Sequence, residues 1–78
     1  MGIIEEKIYK IMKENKLYGD ITVHNDNTIE IEISGDWKHE HLRLRWLIFD
    51  NFNVKDYKQI VIEEDGSDFY TSIHYFKL

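Results

Sequence analysis

The chain contains no cysteine and no proline among its 78 residues. Without thiols there is no disulfide, no thiolate zinc site and no cysteine nucleophile, a composition that suits a cytoplasmic setting. Without a proline-rich or low-complexity segment there is no sign of a linker, and residues 1–78 are expected to form one α+β domain. Long apolar runs are lacking too, and nothing approaches the ~20 residues of a membrane-spanning helix. The first residues, MGIIEEKIYK, place carboxylates where a signal peptide has its basic region. Met1-Gly2 lacks the Ser or Thr that a myristoylation motif needs at position 6, which is Glu6 here. These absences predict a soluble, unprocessed, cytoplasmic protein.

Basic residues are missing from two blocks. Between Lys16 and Lys38 the charges are Asp20, Asp26, Glu30, Glu32 and Asp36, and between Lys58 and Lys77 they are Glu63, Glu64, Asp65 and Asp68. The net charge of −5 is concentrated there, and it disfavours direct nucleic-acid binding, in which phosphate contacts are made by Lys and Arg. At 42% hydrophobic and 14% aromatic residues, the remainder has the composition of a folded domain.

Periodicity supplies the elements. Ile4, Ile8, Ile11, Asn15 and Tyr18, with Met12 beside them, recur at helical spacing and predict a helix over 3–17. Glu5 and Glu6 come early, lysines come late, and Gly19 stands as the expected left-handed cap. Residues 21–24 and 29–34 alternate around Asn25-Asp26-Asn27, a hairpin with Ile29, Ile31 and Ile33 on one face and Glu30 and Glu32 on the other. Ser34 or Asp36 is placed to cap a second helix over 37–52. A second hairpin, 57–64 with 68–78, is expected to turn at Asp65-Gly66 and to pair Ile60 and Ile62 with Thr71 and Phe69. Either face of its last strand could be the buried one, because both carry rings. The order α-β-β-α-β-β predicts a two-layer α+β sandwich, a four-stranded antiparallel sheet with two helices on one face.

The second helix is apolar on two sides. Trp37, His41, Leu44, Ile48 and Phe52, with Leu47 at the edge, share one, while Leu42, Trp46 and Phe49 share the other. Leu42, Trp46 and Phe49 with Arg43 and Arg45 nearby have the composition of an interface anchor, either to a partner or in a homodimer. The carboxylates of Glu30, Glu32, Glu63, Glu64, Asp65 and Asp68 form the candidate acidic surface for a basic protein partner; a charge mimic of nucleic acid, blocking a nucleic-acid-binding protein, is one form. Their simpler reading is a solvated surface that protects the sheet edges.

Signals for chemistry are weaker. His39 and His41 lie about 200° apart on a helix and cannot share a metal as an i, i+4 pair does. His74 is a third imidazole whose place in space the spacing leaves open. No nucleophile elbow presents a serine, and Glu30 and Glu32 lie on the wet face, away from the burial that raises a general acid's pKa. No catalytic residue, metal site or cofactor is expected, and the leading reading is a small acidic protein-interaction module. The alternatives are a small metal- or carboxylate-dependent enzyme using His39, His41 or His74, and a structural homo-oligomer subunit.

The segments GDWKHEH at 35–41 and EEDGSDFYTSIHYF at 63–76 resemble those of short uncharacterised proteins of low-GC Gram-positive bacteria and their phages. The resemblance covers roughly the second half of the chain and transfers no residue role. It implies an accessory or mobile-element protein that acts by binding.

Overall fold

The computed structural model describes residues 2–64, 66 and 68–78. Helix α1 is Ile3–Glu14, strands β1 and β2 are Gly19–Val23 and Thr28–Asp36, a π-helical turn spans Trp37–Leu42, and helix α2 follows at Arg43–Asn51. Strands β3 and β4, Asp56–Glu64 and Phe69–Lys77, complete the chain. The strands form one antiparallel sheet of order β1-β2-β4-β3, so the α+β order expected from the periodicity is the observed one. No described helix is long and apolar enough to cross a membrane.

Cross-strand register explains what the helices cover. Residues directly opposite one another share a face, so the inner face carries three rows: Val23–Ile29–Phe76–Tyr57, Ile21–Ile31–His74–Gln59 and Gly19–Ile33–Ser72–Val61. The β1 and β2 ends of these rows are aliphatic and pack with Ile8, Met12 and Leu17, whereas the β4 and β3 ends are aromatic and polar. Leu44 and Ile48 of α2 are fully buried in the same core, as the helical spacing anticipates. Trp37, assigned to the same stripe, is instead exposed, because the first turn of this helix is wound as a π-helix.

The first helix ends earlier than its glycine suggests. Lys16, not Gly19, takes the left-handed conformation, at φ 57°. Leu17 N–H then bonds Met12 O at 2.8 Å and Lys16 N–H bonds Lys13 O at 3.1 Å, a Schellman cap closed by contact between the buried Met12 and Leu17. Tyr18, expected on the helix's inner face, lies beyond this cap and points into solvent. Gly19 is required for a different reason: a Cβ there would overlap the carbonyl of Glu32 on β2.

The second hairpin also departs from expectation. Ile60 lies opposite Ile73 and Val61 opposite Ser72; a bulge at Ile62 then brings Glu63 opposite Thr71. The expected pairing of Ile60 with Thr71 and Ile62 with Phe69 required a two-residue turn, and the strands are joined by a longer connection. Asp65, half of the anticipated Asp65-Gly66 turn and one of the candidate acidic residues, lies outside the described residues.

Candidate functional site

The register answers the question left open by the last strand: Tyr70, Ser72, His74 and Phe76 face the helices, and Phe69, Thr71, Ile73 and Tyr75 face outward. This brings two of the three candidate histidines together. His41 and His74 are both fully buried, with His41 Nδ1 2.9 Å from His74 Nε2. His39 is separated from them, exposed on the far side of the π turn.

The segment 35–41 is built to place His41. Asp36 caps the turn, its Oδ1 accepting the His39 N–H at 2.6 Å, while Glu40 reaches back to accept the Asp36 N–H at 3.1 Å. This is a reciprocal capping box with its Glu one residue later than in an α-helix, as the wider π turn requires. Gly35 has φ 155°, and a Cβ there would overlap the Glu40 side chain. Its carbonyl and that of Tyr70 both face His41 Nε2, at 3.2 and 3.1 Å. Two acceptors facing one ring nitrogen fix the proton there, so Nδ1 of His41 carries a lone pair.

The rest of the network follows from that tautomer. His74 donates from Nε2 toward His41 Nδ1, with Ser72 Oγ also 3.1 Å away, and its Nδ1 accepts from the Tyr57 hydroxyl at 2.7 Å. Gln59 Nε2 donates to Ser72 Oγ at 3.0 Å, and Ser72 Oγ lies 2.9 Å from His41 Nδ1. The His41 ring stacks on Tyr70 with centroids 4.1 Å apart and planes 5° from parallel. Among the described residues, no buried side-chain polar atom lacks a partner. Burial, aided by repulsion from His41 and Arg45, lowers the His74 pKa from 6.5 to about 4. Burial likewise raises the Tyr57 phenol above its ordinary value against the opposing Arg45 charge, which keeps the hydroxyl proton in place.

A metal does not fit between the two imidazoles. Their 2.9 Å separation is a hydrogen-bond length, whereas two nitrogens at about 2.0–2.1 Å from one tetrahedral ion stand farther apart. His41, Ser72 and His74 are all closed to solvent, so they present no nucleophile or base to a substrate. A separate group, Asp36, His39 and Glu40, has candidate ligand atoms within 4.8 Å of one another. Those atoms are engaged in the cap, and hydrogen bonds from the His39 ring and N–H hold the Asp36 carboxyl below its ordinary pKa.

The outer surfaces carry the other candidate residues. On the open sheet face, Asp20 lies opposite Glu32 and Thr22 opposite Glu30, so the β1 and β2 half is acidic. The β4 and β3 half of that face carries Ile73, Ile60 and Tyr75, with Lys58 Nζ over the Tyr75 ring at 5.0 Å. The five described carboxylates of the six predicted are therefore dispersed: Glu30 and Glu32 are on β2, Glu63 shares their face beyond β4, Glu64 pairs with the inward Tyr70, and Asp68 is exposed just before β4.

The predicted anchor residues also divide. Leu42 and Arg43 line a groove with Asn15, Leu47 and Trp46, and Arg43 bonds the Asn15 carbonyl at 2.7 Å. Phe49 turns toward β3, edge-on to Tyr57 at 5.8 Å, and the Arg45 guanidinium covers the Tyr57 ring at 4.7 Å. Trp46, 64% exposed, stands between them. One surface was not singled out from the sequence: Ile60, Val61 and Ile62 are consecutive on an edge strand and 43, 47 and 50% exposed. Comparison of the chain with known protein families, characterised proteins and solved structures finds no match.

Proposed function

We propose that the protein is a small acidic protein-interaction module of the cytoplasm that acts by binding through its β3 edge and the adjoining surface. The observation that carries this reading is the run Ile60-Val61-Ile62, exposed on a sheet edge. A strand edge offers unpaired backbone N–H and C=O groups, and apolar side chains on it add burial to any strand laid alongside. The buried histidine network belongs to the same reading as the device that holds β3 in place, since Tyr57 and Gln59 of β3 reach His74 and Ser72 of β4 through it.

Asp20, Glu30 and Glu32 add a negative field on the open face, which favours a basic partner. In its most specific form the module is a phage or mobile-element inhibitor that occupies a nucleic-acid-binding protein. Charge reversal of Glu30 and Glu32 then weakens binding most at low salt, and an unchanged affinity there sinks the charge-mimic form alone.

The experiment for the broader reading compares the tagged chain with its Ile60→Lys, Ile62→Lys double variant, both expressed in the source cells beside an untagged copy. The wild type retains a protein, either a cellular partner or the untagged copy, that the double variant loses while its circular dichroism is unchanged. Identical retained sets from both chains overturn the reading.

A further inference from the structure

We infer that the occupant of the β3 edge is the β3 edge of a second copy, the two strands running antiparallel about a two-fold axis at Ile60 and joining two sheets into one of eight strands. The inference rests on the interaction reading above and names its partner.

The two sheet edges differ in a way that selects β3. β1 is five residues long and carries Asp20 and Thr22, with α1 packed beside it. β3 is nine residues long and has an apolar centre. Short and charged edges resist strand addition, and long apolar edges invite it.

The charge order along β3 then selects a second copy and an orientation. Lys58 precedes the apolar run and Glu63 and Glu64 follow it, all three exposed. In a parallel self-pairing each charge meets its own kind. In the antiparallel arrangement about Ile60, isoleucine faces isoleucine, Gln59 of each copy faces Val61 of the other, and Lys58 of each copy lies within two residues of register of Glu63 and Glu64 of the other, while Asp56 falls opposite Glu64 as a like-charge pair at each end of the seam. Such an interface is isologous, so each favourable pair occurs twice. The bulge at Ile62 turns Glu63 to the face that Lys58 occupies, since Glu63 lies opposite the outward Thr71 and Lys58 opposite the outward Tyr75. On the inner side, Phe49 and the Arg45 guanidinium pack on Tyr57 near the start of the same edge strand.

Light scattering and sedimentation of the full chain over a wide concentration range test the inference. The expected mass is twice the 9.5 kDa of the chain. Lys58→Glu raises the dimer dissociation constant by about tenfold, the scale of two cross-strand pairs turned from attraction to repulsion. The triple change Lys58→Glu, Glu63→Lys, Glu64→Lys restores the complementarity and the wild-type constant. All of these side chains are exposed, so unchanged circular dichroism accompanies each variant. A monomer at every concentration overturns the inference, as does a dimer indifferent to Lys58→Glu. A monomer whose β3 edge retains a different protein refutes self-pairing and leaves the interaction reading intact.

Discussion

Acidification acts on His74 before it reaches Asp26 and Asp36. Protonating His74 in place puts a positive charge among His41, Tyr57, Tyr70, Phe76 and Arg45, with repulsion from His41 and Arg45 and, among the described residues, no carboxylate hydrogen-bonded to its ring. Unfolding moves the same imidazole into water, where it titrates at about 6.5. The unfolded state therefore binds the additional proton between pH 6.5 and the folded value of about 4, and stability falls as pH falls through that window. At 1.36 kcal/mol per pH unit the loss amounts to about 3 kcal/mol, a large share of the total for a domain of this size. The stability held by Asp26 and Asp36, whose carboxyls are lowered mainly by hydrogen bonds from Thr28 and His39, is present above their unfolded value of 3.8 and disappears only below it. The two processes thus occupy different pH ranges. Urea unfolding followed by circular dichroism at half-unit intervals from pH 7.5 to 3.5 measures the slope. His74→Gln keeps an N–H for His41 Nδ1 and removes the titration, so its slope between pH 6.5 and 4 is expected to flatten. A wild-type stability independent of pH in this window refutes the reasoning, as does a variant with the wild-type slope.

Three substitutions probe other parts of the account. Lys16→Gly relieves a left-handed non-glycine residue at the Schellman cap and is expected to stabilise the fold by about 1 kcal/mol, seen as a higher urea midpoint with unchanged m. Gly35→Ala forces a Cβ into Glu40 at φ 155° and is expected to cost about 1–3 kcal/mol; an unchanged midpoint contradicts the role given to the 35–41 turn. Tyr57→Phe deprives His74 Nδ1 of its donor and is expected to cost about 1–3 kcal/mol. Because that donor stabilises the neutral ring, the variant's His74 also protonates at higher pH, which an NMR titration of the imidazole reads directly.

Period and turn chemistry made the architecture legible. Ile29, Ile31 and Ile33 alternate without ambiguity, and Asn27, in the anticipated turn, takes the left-handed φ of 67° that asparagine tolerates. Leu44 and Ile48 followed equally from a 3.6-residue period. The second hairpin was harder because both faces of β4 are rich in rings, so hydrophobicity did not orient it. The deciding fact is tertiary: His41, on the stripe with Leu44 and Ile48, requires polar partners inside, and Ser72 and His74 supply them from one face of β4. The alternation of Tyr57 and Gln59 on the neighbouring strand, opposite Phe76 and His74, was the available sign of that face. Lys16 in a position that favours glycine left no local mark. The bulge at Ile62 also has none, and without it Ile60 and Ile62 read as ordinary alternating residues and not as an exposed run with Val61. The acidic residues were identifiable as charges, but their division between faces depends on register, which a single sequence does not fix across a connection of uncertain length.

The central claim is that contacts with other proteins are made at the β3 edge. A photoreactive amino acid at position 62, compared with one at position 10 on the exposed surface of α1, tests it in intact cells. The account predicts covalent protein adducts from position 62 and none from position 10. An absence of adducts from position 62, or equal yields from both positions, contradicts it.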